Sequence, residues 1–131
     1  MNILSLPHLS ASIVIGLQKG YSNKLNKKKD VRRVLQDFQY KLSKKKNIYL
    51  SACLSECEII LNGQVEPHIK VEFINYPRFP LEEGIFKAEV QNFTKLIMKE
   101  LHQNRIVIIF SDEIRMLEMN VETDPRINIL P

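Results

Sequence analysis

Residues 47–75 read NIYLSACLSECEIILNGQVEPHIKVEFIN, and this stretch decides the fold. Asn62-Gly63 is its strongest signal. Both central positions of a type I′ turn need φ > 0, and these two residue types accept it. Upstream, residues 47–61 predict one long strand. Its apolar alternation slips around Ser55 to Glu58, which signals either a bulge or a strand running past its sheet. Downstream, with the loop expected to run on through Pro67, residues 68–75 alternate. Ile69, Val71 and Phe73 face one way, and His68, Lys70, Glu72 and Ile74 the other.

Both cysteines of the chain, Cys53 and Cys57, sit on the first of these strands. Four residues at ~3.3 Å each put them about 13 Å apart on one face. A disulfide needs Cα atoms within roughly 7 Å, so the two cannot bridge. They lack the CxxC spacing and histidine partners of a zinc site. Buried free thiols in a reducing, cytoplasmic setting are the expectation.

Working outward, each side of this hairpin carries a helix. Upstream, Val31, Val34, Leu35, Phe38 and Leu42 form one apolar stripe at helical spacing. Asn26 or Ser22 is the expected cap, Asp30 suits the positive end of the helix dipole, and Lys44, Lys45 and Lys46 suit its negative end. Downstream, Phe86, Val90, Phe93, Ile97 and Leu101 form a second stripe. Ile85 and Leu96 widen it, while Met98 falls off it and is expected to be partly exposed. Pro80 is expected in the first turn of this helix. Beyond the helices lie two apolar, β-branched runs, residues 10–17 (SASIVIGL) and 105–110 (RIVIIF), both read as buried strands. Residues 114–119 turn back as a further strand.

The order is β-α-β-β-α-β with an additional C-terminal strand, an α+β two-layer sandwich of ferredoxin-like type. Right-handed crossovers set both helices on one face of the sheet. One domain is expected over 1–131, with a loose leader at 1–8, a core at 9–119 and a tail at 120–131. In its order of elements the chain resembles small ferredoxin-like proteins, among them trimeric nitrogen-regulatory signalling proteins, copper-tolerance-type trimers and tautomerases. It departs from the tautomerases, which need a proline after the initiator methionine, because residue 2 is Asn2. It departs from the signalling trimers because residues 62–67 make only a short loop. Such likeness of fold carries no function.

The formal charge is +4 and the pI about 9.1. The excess is local, with ten lysines and arginines between Lys24 and Lys46, while acids outnumber bases from Asn47 onward. A solvated helix face accounts for such a run, and non-specific contact with nucleic acid is the alternative. No run approaches ~20 apolar residues, so no membrane span is expected. The N-terminus lacks the basic start and apolar run of a signal peptide.

No phosphate loop, dinucleotide fingerprint, HExxH or GxSxG motif occurs. His8, His68 and His102 fall in unrelated elements, so neither a metal nor a cofactor is expected. Enzyme chemistry through Glu82 or Glu83 with Tyr76 is the weakest reading, since no activated nucleophile is visible. The first and third strands, read as adjacent and parallel, would bring their C-terminal connections together. Lys19, Gly20, Tyr21 and Lys24 from one connection, with Tyr76, Arg78 and Phe79 from the other, are then the candidate ligand-binding set. Cationic side chains, stacking rings and two helix starts suit an anionic small molecule. The plainer reading makes residues 76–80 a rigid corner, with Arg78 paired to Glu82 or Glu83. Apolar residues on both faces of the first and fourth strands predict a homo-oligomer through the open sheet face, the alternative being that the leader or the tail covers that face within one chain.

Overall fold

The computed structural model describes residues 1–18 and 24–120. Strand β1 (Ser10–Gly16) is followed by helix α1 (Lys28–Lys46), strands β2 (Ser51–Leu61) and β3 (Gln64–Ile74), helix α2 (Glu83–Glu100), and strands β4 (Arg105–Phe110) and β5 (Ile114–Glu118). The strands form one sheet in the order β2-β3-β1-β4-β5. All four neighbouring pairs are antiparallel.

Alternation explains why one sheet face carries the core. Ala11, Ile13 and Ile15 of β1, Ile69, Val71 and Phe73 of β3, and Ile106, Ile108 and Phe110 of β4 are all buried. They meet Val31, Val34, Leu35 and Leu42 of α1 and Phe86, Val90, Phe93 and Ile97 of α2, so both helices lie on that face. Phe93 ties the layers together, its ring 5.4 Å from Phe38 and 5.6 Å from Phe73. Truncating it to alanine would cost about 3–5 kcal/mol. Met98 is buried and Ile85 exposed, the reverse of the stripe reading. The α2–β4 turn closes over Met98, whose carbonyl accepts the Gln103 N–H.

The hairpin is tighter than its sequence suggests. Asn62 (φ 44°) and Gly63 (φ 81°) make the turn, and the ladder runs unbroken from Leu61↔Gln64 to Ser51↔Ile74. There is no bulge in β2. Its alternation slips because β1 ends opposite His68, so residues 58–67 extend past the sheet, where Ile60, Leu61 and Val65 are exposed.

Helix α1 is capped at Lys27, whose N–H donates to the Asp30 carboxylate at 2.7 Å. The expected cap, Asn26, is instead buried, and its Nδ2 donates to the Leu101 carbonyl at 2.9 Å; Ser22 lies outside the described residues. Asn47, left-handed at φ 54°, closes the helix. Helix α2 starts three residues after Pro80, with the Asn75 carboxamide oxygen accepting the Leu81 N–H. Among the described residues no helix is long and apolar enough to cross a membrane.

Candidate functional site

Antiparallel pairing of β1 with β3 separates the predicted ligand set. Gly16 lies opposite His68 and Ser10 opposite Ile74. The connection after β1 and the connection after β3 therefore leave opposite ends of the sheet, and the expected common pocket does not form. Lys19, Gly20 and Tyr21 lie outside the described residues, and Lys24 is exposed at the β1 end. Tyr76, Arg78 and Phe79 are exposed at the other end. The corner reading fares no better in its detail. Among the described residues no ion pair joins Arg78 to Glu82 or Glu83, and Glu83 faces Lys87 at 3.4 Å instead.

The β1 end holds a different polar group of residues, one that packing alone does not explain. Across the open face, Cys57, His68 and Gly16 stand in one row on β2, β3 and β1. A Cβ on Gly16 would sit 2.9 Å from Gln103 Oε1 and 3.4 Å from His68 Nε2. Glycine is thus required for close approach, which any side chain would block. Gln103 is buried, and its Nε2 donates to the Gln18 carbonyl at 2.8 Å and the Leu101 carbonyl at 3.1 Å. The Leu17 N–H donates to the Pro67 carbonyl at 3.1 Å. Gln18 itself forms an isolated antiparallel bridge with Leu25.

Glu66 is held on its own strand, its Oε1 accepting from Gln64 Nε2 at 2.6 Å. The His68 Nδ1 lies 3.2 Å from the Glu66 carbonyl oxygen. Donation there leaves Nε2, which faces Gly16, as the acceptor of the neutral ring. Gln18 Oε1 is buried with no hydrogen-bond partner among the described residues. An unpaired buried acceptor costs about 1–3 kcal/mol, so each such group calls for a reason. Burial also pushes the Cys57 thiol up from its ordinary range, an effect Lys70 partly offsets. The expectation of two buried thiols holds for neither residue. Cys53 is exposed and Cys57 half-buried, because both face the open side of an edge strand. Among the described residues no three His, Cys, Asp or Glu side chains are grouped to hold a metal.

The largest described cavity, about 630 Å³, lies at the opposite end between leader residues 4–9 and the ends of β1, β3 and β4. Ser10 and Ser111 there bond each other at 3.1 Å. Among the described residues no buried polar side-chain atom is left without a partner at this end, whereas Gln18 is so placed at the β1 end, which makes the β1 end the better candidate. Gln18 and Gln103 were missed in the sequence because they come together only across a separation of 85 residues. The available signal was Gly16 inside a β-branched strand, where glycine marks close approach of another group.

The architecture so defined is a two-helix layer on a five-stranded antiparallel sheet. No family model matches the chain, and no curated protein matches it in sequence. Solved structures do share its fold. A phage SAM lyase in its apo state superposes with a TM-score of 0.66 at 17% identity, over 94% of this chain and 98% of that one. A phage SAM lyase in complex with S-methyl-5′-thioadenosine superposes with a TM-score of 0.63 at 18% identity, over 90% of this chain and 95% of that one.

Proposed function

We propose that this chain binds an adenosyl-sulfur compound at the β1 end of the sheet and cleaves S-adenosylmethionine there, releasing S-methyl-5′-thioadenosine. Near-complete overlap with phage SAM lyases of similar length supports the ligand class. The observation that carries the location is the buried Gln18 carboxamide oxygen, which has no hydrogen-bond partner among the described residues, at the strand end where Gly16 approaches His68 and Gln103. A buried amide oxygen is an acceptor, and the exocyclic amine and ribose hydroxyls of an adenosyl group are donors. Glu66 supplies a carboxylate at the same end, which suits a sulfonium cation. On this reading the ligand is a sulfonium cation, in place of the anionic small molecule expected from the sequence. In cleavage the substrate's own carboxylate oxygen attacks Cγ, so a C–O bond forms as the Cγ–S bond breaks. The electron pair of the broken bond goes to sulfur, giving a neutral thioether that needs no proton to leave and an amino lactone as the second product.

The element order reads as the ferredoxin-like arrangement with β5 added at one edge. The open sheet face supports the homo-oligomer expected from the sequence, for Ile109, Ile114 and Met116 are exposed there. A second copy covering them would remove apolar surface from water at about 25 cal/mol per Å².

The test is thermal shift and equilibrium dialysis of the full chain with S-methyl-5′-thioadenosine, together with chromatography of S-adenosylmethionine after incubation with it. Binding and release of methylthioadenosine are expected. Gln18→Ala should weaken methylthioadenosine binding by roughly 3- to 10-fold, the worth of one hydrogen bond. Glu66→Gln should weaken S-adenosylmethionine, which is cationic, far more than neutral methylthioadenosine. Absence of both binding and product would refute the reading.

A further inference from the structure

We propose that the outward face of α1 and the aromatic side chains beside its C-terminal end form a binding surface for single-stranded nucleic acid. Lys29, Arg33, Tyr40 and Lys44 recur at helical spacing on the solvent face of α1, and all four are exposed. Lys41 stands beside them. Asp37 shares this face, while Asp30 is engaged at the helix start. The stripe is thus strongly basic in a chain whose remainder carries excess acid, and it complements a polyanion.

The second observation is independent of charge. Tyr49 and Phe79 stack with ring centroids 5.0 Å apart, and Phe79 and Tyr76 lie 5.9 Å apart. All three rings are about half exposed, and Tyr40 more so. A groove of about 370 Å³ runs between Tyr40 on one wall and Tyr49 and Phe79 on the other. Its shape is held by the Gln39 carboxamide, which donates to the Leu50 carbonyl at 2.8 Å. Lys44 stands over the Tyr40 ring at 5.6 Å.

Unpaired bases stack on such rings regardless of sequence, while neighbouring lysines and arginines take the phosphates. A duplex hides its base faces and could use only the cations, so the rings select single strands. The aromatic groove of this surface lies at the opposite end of the sheet from Gln18 and Gly16, and the proposal stands without the adenosyl-ligand reading.

Fluorescence anisotropy of the full chain with a labelled thymidine oligonucleotide of about 20 nucleotides tests the proposal. Binding at about 0.05 M salt is expected, falling with log salt concentration at a slope near −3 for four phosphate contacts. A duplex of equal length should bind more weakly. Tyr40→Ala and Phe79→Ala should each cost about tenfold with unchanged melting temperature. Replacing Lys41 and Lys44 with glutamine should flatten the salt slope by about 1.4, half of the total. No binding at low salt, or equal affinity for duplex with indifference to both ring substitutions, would overturn it. Methylthioadenosine binding should survive all of these substitutions.

Discussion

Replacing Gly16 by alanine tests the polar cluster at its tightest point. The new methyl would lie 2.9 Å from Gln103 Oε1 and 3.4 Å from His68 Nε2. Gln103 cannot swing away freely, because two backbone carbonyls hold its Nε2 at 2.8 and 3.1 Å. Overpacking of this kind costs about 1–3 kcal/mol. Alanine recovers roughly 0.4–1 kcal/mol by restricting the unfolded chain. A net loss of about 1–2 kcal/mol is expected, read as a lowered urea midpoint with unchanged slope. The double variant Gly16→Ala, Gln103→Ala supplies the decisive comparison. Removing the carboxamide takes away the clash, so the pair should be about 1 kcal/mol more stable than the two single effects summed. A neutral Gly16→Ala together with strict additivity would refute the claimed close approach.

Three further outcomes follow from contacts elsewhere. Lys46 donates to the buried Glu89 carboxylate at 2.9 Å, so Lys46→Met should lower stability by roughly 1–2 kcal/mol, discounted for the lysine's half exposure; urea unfolding reads it. Lys87, bonded to Asp112 at 2.8 Å, holds that carboxyl below its usual range. A depressed carboxyl contributes stability above its unfolded value and loses it as pH falls through the folded one, so the gap between wild type and Lys87→Met should close below about pH 4. Equal gaps at neutral and strongly acid pH would contradict this. Iodoacetamide at neutral pH should label exposed Cys53 before Cys57, whose thiol is pushed up by burial; mass spectrometry of the time course would expose equal rates.

Much of the architecture was legible because its signals are local. The Asn62-Gly63 turn, the stripe from Phe86 to Leu101 and the β-branched run at 105–110 each declare an element within a few residues. The site was not legible, and one step was an error of direction. A crossover helix makes β2 run with β1, and the hairpin then reverses β3, so β3 must oppose β1. Counting those reversals would have parted Tyr76 and Phe79 from the loop after Gly16 before any coordinates. The remaining gap is physical. His68 and Gln103 are polar residues of unremarkable type, and only the assembled sheet gives them a shared neighbour in Gly16.

The overhanging tip of the β2–β3 ribbon has a dynamic consequence. Among the described residues no helix lies beneath residues 58–66, which are held by ladder bonds, so opening them exposes little that is not already wet. Their amides should exchange with solvent through small local fluctuations, while those of residues 69–73 wait for global unfolding. The protein thus carries a pliant finger rooted beside His68, whose posture can respond to whatever settles there without disturbing the folded body.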